Sequence, residues 1–294
     1  MMRILVLGDF HGQFNKKLKK GLAREMKNRI DLVIGVGDYA GIEEWSDYII
    51  NMLKASSVGL PWVSAEEYFG ARKFKKLVKK DEKCTKNVLL EINSLVNDKE
   101  NGKGLYVFGN NDDDWYNYPF SKNSRIKKSR KRFLKSLNGM KDITYSSTKF
   151  NDVSIVGYGG YMDAEINWDK RKDDKESYNK MLNRVGGSRK KLFSMCKKQK
   201  PEILVLHYPP KGIFDKILDR KNPYHGKQIG VLAFRDAILK FKPRIALCGH
   251  MHEYQGALKL GKTLVINPGD ASKGKFAVVD YDNFNGKADV RFVR

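Results

Sequence analysis

Residues 106–116 read YVFGNNDDDWY, and the change of character within them decides how the chain is read. Leu105, Tyr106, Val107 and Phe108 form a short apolar run suited to a buried strand, which Gly109 ends. Two asparagines and three aspartates follow without a lysine or arginine among them, in a chain of net charge +23. Other apolar runs end the same way. Arg3–Leu7 enters GDFHG, with Asp9 and His11, and Leu32–Val36 enters GVGDYAG, with Asp38. Gly104–Phe108 enters GNND, with Asn110. Glu202–Leu206 enters HYPP at His207, and Arg244–Leu247 enters CGHMH, with His250 and His252.

Between these strands, and a further one at Val153–Val156, the spacing of apolar residues predicts helices. They fall near Gln13–Asn28, Glu43–Lys54, Ala65–Leu95, Ser124–Leu137, Lys175–Lys197 and Ile229–Lys240. After His252 the chain becomes a series of short runs rich in Val, Ile, Phe and Tyr, separated by Gly or Asn turns, which is the pattern of a β-meander. FNGKA within it reads as an Asn-Gly hairpin turn. Alternating strands and helices followed by consecutive strands predict an α/β fold of packed sheets with helices outside. No repeat, low-complexity tract or Pro-rich linker divides the chain. It reads as one domain over residues 1–294, with a helical insertion at about 45–100 and a basic helical insertion at about 115–140.

Composition narrows the class. Apolar residues make up 41 % of the 294, ample for a core of this size. No apolar run approaches the roughly 20 residues of a membrane span, so no membrane partner is expected. MMRILVLGDFHG turns polar too soon for a secretory signal and reads as a first strand. Cys84, Cys196 and Cys248 are odd in number and scattered, the usage of a reducing cytoplasm. The charge of +23 favours a polyanionic partner such as nucleic acid, through release of phosphate counterions. The densest cluster, KNSRIKKSRKRFLKS at 122–136, has helical spacing, with Ile126, Phe133, Leu134 and Leu137 as its apolar positions. A solvated lysine-rich face or a general affinity for anions explains the same run more readily than nucleic-acid contact. Oligomeric state leaves no signal.

In open α/β sheets the carboxyl ends of the strands form the ligand crevice. An aspartate after a single strand is usually a turn former. Here five strands deliver carboxylate, amide and imidazole to one rim, and four of the five histidines in the chain take part. Such a mixed donor set suits Mn, Fe, Zn or Ni better than Ca or Mg, and the lack of cysteine argues against structural zinc. Two dications less the charges of Asp9 and Asp38 leave a centre near +2, which a hydroxide and a phosphodiester oxyanion neutralise. Metals about 3.5–4 Å apart lower the pKa of a bridging water and clamp phosphoryl oxygens for in-line attack.

The ordered motifs GDFHG, GDYAG, GNND, LHYPP and GHMH, spanning residues 8–252, resemble those of the calcineurin-like metallophosphoesterase superfamily. The tail from GHMH onward resembles the ending of its small bacterial and archaeal members. The resemblance implies a two-sheet β-sandwich flanked by helices, with a dinuclear metal site at the strand ends, manganese being the most favoured metal. It implies a first metal held by Asp9, His11, Asp38 and His252, and a second held by Asp38, Asn110, His207 and His250. Asp112 then orients the loop or a substrate-side group, while Asp113 and Asp114 read as solvated or helix-capping residues. Many members carry histidine where this chain has Asn111, acting on the phosphate and the leaving group. An amide donates a hydrogen bond but delivers no proton at pH 7, and losing a general acid costs about 10²–10⁴-fold on substrates that need one. The expected substrate is therefore a phosphodiester, nucleotide-derived or cyclic, more than a monoester. His225, in PYHGKQ, is the remaining histidine and a candidate substitute acid or phosphate contact. Two alternatives stand beside this reading: a nuclease of the same superfamily, and a non-catalytic metal-containing module that binds nucleic acid or protein.

Overall fold

The computed structural model describes residues 1–98, 102–112, 124–160, 162 and 175–294, with the side chains at 124–128, 177 and 178 excepted. Two six-stranded mixed sheets face each other. The first runs β12 (Lys287–Val293), β11 (Phe276–Asp282), β1 (Met2–Leu7), β2 (Leu32–Gly35), β3 (Lys103–Tyr106), β4 (Met140–Asp142). The second runs β5 (Ser147–Phe150), β6 (Val153–Tyr158), β7 (Ile203–Leu206), β8 (Ile245–Leu247), β10 (Thr263–Asn267), β9 (Gly256–Leu260). The central strands of each are parallel, and antiparallel strands close both edges of the second sheet and the β12 edge of the first, whose other edge strand, β4, pairs in parallel with β3. This is the two-sheet α/β sandwich expected from the motifs.

The strands are apolar throughout because both their faces are covered. Ile4, Val6, Ile34 and Val36 meet Ile155, Ile203, Val205 and Leu247 between the sheets. Their neighbours in sequence point the other way. Leu5, Leu7, Val33 and Phe108 pack beneath helices α1 (Lys16–Glu25) and α4 (Ala71–Asn97). On the opposite flank Val156, Leu204 and Leu206 pack beneath α6 (Lys175–Gln199) and α7 (Leu232–Phe241).

Between β2 and α4 lie α2 (Glu43–Ser57) and α3 (Ala65–Phe69). The single helix expected over Ala65–Leu95 is broken at Gly70, whose φ of +74° ends α3 and starts α4. Val88, Leu89, Ile92 and Val96 make the second half of α4 part of the core, as the crossover from β2 to β3. The basic segment contains α5 (Ser124–Lys135), whose Phe133 and Leu134 pack against the first sheet's helical layer while Lys131, Arg132 and Lys135 are exposed. Asp113, Asp114 and the start of that segment lie outside the described residues. The FNGKA turn does join two strands, but as the four-residue loop 283–286. Asp282 accepts from Phe284 N and Asn285 Nδ2 there, and Gly286 takes φ +69°. No helix among the described residues is long and apolar enough to cross a membrane.

Strand register positions the site. Leu7, Gly35 and Tyr106 are neighbours across the first sheet, so the turns bearing Asp9, Asp38 and Asn110 leave it side by side. Val205, Leu247 and Ile266 are neighbours across the second, so the turns bearing His207 and His250 do likewise.

Candidate metal centre

The two sets of turns meet at one edge of the sandwich. Asp9, His11, Asp38 and His252 offer ligand atoms that all lie within 4.8 Å of one another, and so do Asp38, His207 and His250. Asp38 belongs to both groups. The turns are sharp enough that Asp9, His11, Asp38 and His250 all adopt left-handed backbone, with φ between +45° and +67°. Non-glycine residues held there carry strain that the surrounding structure must offset, and such residues concentrate at functional sites. The offsets are visible. Phe10 N and His11 N both donate to Asp38 O, Asp9 N donates to Gly37 O, and His250 N donates to Asp9 Oδ1 at 2.9 Å.

Asp112 anchors the third turn. Fully buried, its carboxylate accepts from Asp38 N (2.9 Å), Ala40 N (2.7 Å) and Gly109 N (2.7 Å), tying the GNND turn to the GDYAG turn. Burial, with the charge of Asp38 beside it, pushes its pKa up to about 8 against those three donors. Asp112 thus reaches backbone, not the ligand cluster itself.

The donor atoms fit cations. His207 Nδ1 lies 2.8 Å from the Val36 carbonyl and must carry the proton there, because the carbonyl can only accept. Its Nε2 therefore presents a lone pair, 2.9 Å from Asn110 Oδ1 and 3.4 Å from Asp38 Oδ1. Three acceptors converge with no hydrogen among them. Asn110 Oδ1 is also 2.8 Å from His250 Nδ1, and His11 Nε2 faces His252 Nε2 at 2.7 Å. Asp9 Oδ2 is buried without a hydrogen-bond partner. Burial, then the Asp38 charge, raises the Asp9 carboxyl well above its ordinary range. Burial disfavours the Asp38 anion too, but the surrounding imidazoles, His207 first, hold it below the usual carboxylate value. Burial lowers the pKa of His11, His207, His250 and His252, which favours their neutral, lone-pair-bearing forms. Buried lone pairs and carboxylates in this arrangement are what cations satisfy.

Residues 1–289 match the family described as metallophosphoesterase, calcineurin superfamily. The chain belongs to that family. The uncharacterised protein MJ1162 of Methanocaldococcus jannaschii is 31 % identical over 163 residues, which are 53 % of this chain and 68 % of that protein. The crystal structure of TT1561 from Thermus thermophilus superposes with a TM-score of 0.52 at 14 % identity, over 100 % of this chain and 99 % of that one. At that identity the likeness is one of fold. A structure titled as a novel archaeal phosphodiesterase aligns at TM-score 0.40 and 13 % identity, over 99 % of this chain and 100 % of that one.

The other expected site residues of this metallophosphoesterase fall in different places. Asn111 is exposed at the rim, where its backbone N–H and its Nδ2 donate to Asp38 Oδ1 (2.9 Å) and Oδ2 (2.8 Å). His225 is exposed in the turn after Asn222, and no hydrogen bond or ring contact among the described residues joins it to the cluster. A sixth strand end, without a counterpart among the sequence motifs, joins the site. β10 runs into NPGD, and Asp270 is buried beside the centre, where its charge raises the His252 pKa against burial. Asp270 holds Lys273 Nζ at 3.0 Å and accepts from Ser272 Oγ at 2.5 Å. The Ala271 and Ser272 N–H groups cap the carbonyls of Gly8 and Asp9, and the Tyr208 ring lies against His250 with centroids 4.0 Å apart. An Asn-Pro-Gly-Asp run after a strand was a legible signal, of the same kind as the other five.

Proposed function

We propose that this metallophosphoesterase hydrolyses phosphodiesters at a dinuclear metal centre. One observation carries the reading: Asp38 belongs to both ligand groups, so one carboxylate is placed to bridge two cations. Asp9, His11, Asp38 and His252 would hold one ion, and Asp38, Asn110, His207 and His250 the other. Two divalent transition metals, manganese foremost, supply Lewis acidity and a nucleophile at neutral pH when bound. The protein's own part is to keep four imidazoles neutral by burial, to fix the His207 tautomer through Val36 O, and to hold Asp38 between the turns.

Asn111 supports the diester over the monoester. Its amide is engaged with Asp38 and carries no titratable proton, so leaving groups must depart with little acid assistance. Diesters with acidic leaving groups or strained rings meet that condition best. The +23 charge and the exposed Lys131, Arg132 and Lys135 of α5 support a nucleic-acid substrate or partner as a second reading within the family.

The test is manganese-dependent hydrolysis of bis(p-nitrophenyl) phosphate beside p-nitrophenyl phosphate, with Asp38→Asn as control and metal binding followed by calorimetry. Diester turnover well above monoester turnover, lost in Asp38→Asn, is the expected result. Faster monoester turnover overturns the diester preference. Silence on both esters with metal bound overturns catalysis in favour of a metal-containing binding scaffold.

A further inference from the structure

We propose that a cleft whose walls are tied to the turns of Asp38 and His252 binds a nucleotide moiety of the substrate, so that the diesters cleaved are nucleotide-bearing; this rests on the phosphodiesterase reading and names its substrate class. The cleft has a volume of about 760 Å³, within the range of ligand sites. One wall is α2, with Asp47, Asn51 and Lys54; the next is the α3–α4 junction, with Tyr68, Phe69 and Lys73; the third is Asp219 and Lys221.

Both ends of the cleft are anchored on turns that carry ligands. Glu44 lines it six residues after Asp38, and the intervening Gly41 packs against His11. Across the cleft, the segment holding Asp219 and Lys221 is tied to the turn after His252: Leu218 N donates to Glu253 Oε1 at 3.2 Å, and Tyr254 Oη donates to Lys216 O at 2.9 Å. The proposal places the reacting phosphate at the centre and the nucleotide in this cleft, on the Asp38–His252 side. His225 belongs to the same segment.

The lining suits an aromatic group that carries negative charge. Tyr68 is 42 % exposed yet held in place, its hydroxyl accepting from Asn51 Nδ2 at 2.9 Å and its ring 5.3 Å from that of Tyr48. A fixed, accessible aromatic face is a stacking platform for a nucleobase. Lys73 Nζ sits 5.1 Å from the centre of the Phe69 ring, placing a cation beside that platform. Among the described residues none of Lys54, Lys73 and Lys221 has an ion-pair partner, whereas the wall residue Glu44 is neutralised by Lys80 at 2.6 Å. Three lysines thus face two acids, Asp47 and Asp219, leaving positive charge for a phosphate.

The experiment compares the manganese-loaded protein with its Lys54→Gln/Lys221→Gln variant on two dinucleotides, ApA and 5′-phosphorylated pApA, and measures AMP and adenosine binding by calorimetry. The wild type should prefer pApA to ApA by KM and AMP to adenosine. Both preferences should fall about fivefold in the variant, the size expected for two solvent-screened charge contacts. Tyr68→Leu should weaken AMP and adenosine alike. Preferences that do not move in the lysine variant overturn the proposal. If neither dinucleotide is hydrolysed although metal is bound, the phosphodiesterase reading fails on these substrates and AMP binding alone decides the cleft. Binding weakened by the substitutions sustains it, and no AMP binding by the wild type overturns it.

Discussion

Asp38 joins the two halves of the centre, and the residues around it are selected by how little room they leave. A methyl group on Gly109 would lie 2.1 Å from Asp38 Oδ1 and 2.6 Å from His207 Cε1. Gly109→Ala is therefore expected to cost about 1–3 kcal/mol of stability and to abolish high-affinity manganese binding, both readable by calorimetry. Retained metal affinity would mean that the GNND turn can move as a unit. Asp112→Asn is a second test at this scale. Replacing one acceptor oxygen with an N–H₂ sets donor against donor either at Ala40 N or at Asp38 N and Gly109 N, at an expected cost of about 2 kcal/mol. Metal affinity should fall as well, although Asp112 lies among backbone donors and not among the ligands. These roles were partly legible. Asn110 and the four clustered histidines announced themselves by following strands, whereas Asp270 passed as one more acid in a turn-rich tail.

At the scale of elements, α4 shows where periodicity succeeds and where it stops. Leu89 is fully buried and Leu90 is 47 % exposed, as a helix with one face on a sheet requires. Leu89→Ala is expected to lower unfolding free energy by about 2–5 kcal/mol, and Leu90→Ala by about 0.5 kcal/mol or less, measured by urea denaturation. Equal effects would place the second half of α4 outside the core. The same periodicity did not reveal the break at Gly70, because the apolar stripe continues through it and only the local φ distinguishes two helices from one. Nor did it reveal β4 and β5, strands of three and four residues that carry too few side chains for an alternation to be read.

For the molecule as a whole, the buried imidazoles make stability depend on pH and on metal. His11, His207, His250 and His252 have folded-state pKa values below the ordinary one, burial being the first cause in each. In the unfolded chain they take up protons below about pH 6.5, while the metal-free folded state resists doing so. Stability linked to these groups is thus fully present above the unfolded pKa and lost as pH falls below it. With EDTA present, any fall in urea midpoint between pH 7.5 and 5.5 should be smaller in His250→Gln than in the wild type, because the raised carboxyls of Asp9 and Asp112 pull the other way equally in both proteins. An unchanged pH dependence in His250→Gln would contradict the assignment of His250 as a buried, neutral donor. On the proposed reading of the centre, manganese at neutral pH should raise Tm, since an ion that binds only the folded state stabilises it by mass action; an unchanged Tm would contradict that reading.

The linear order of residues by itself determined which side chains were available for chemistry and the kind of fold that presents them. Strand-terminal Asp, Asn and His are a local property, written wherever an apolar run meets a glycine turn, and the two-sheet sandwich follows from strands apolar on both faces. Only tertiary structure decided which donors come together, since that depends on cross-strand register and on one sheet packing against another. His207 is turned by the Val36 carbonyl across 171 positions of sequence, and Asp9 meets His250 across 241. Likewise, the cleft between α2, the α3–α4 junction and residues 219–221 exists only once distant segments are packed. Contacts closed over such separations leave no periodic trace in a sequence, because periodicity records only the face an element buries and not the element that covers it.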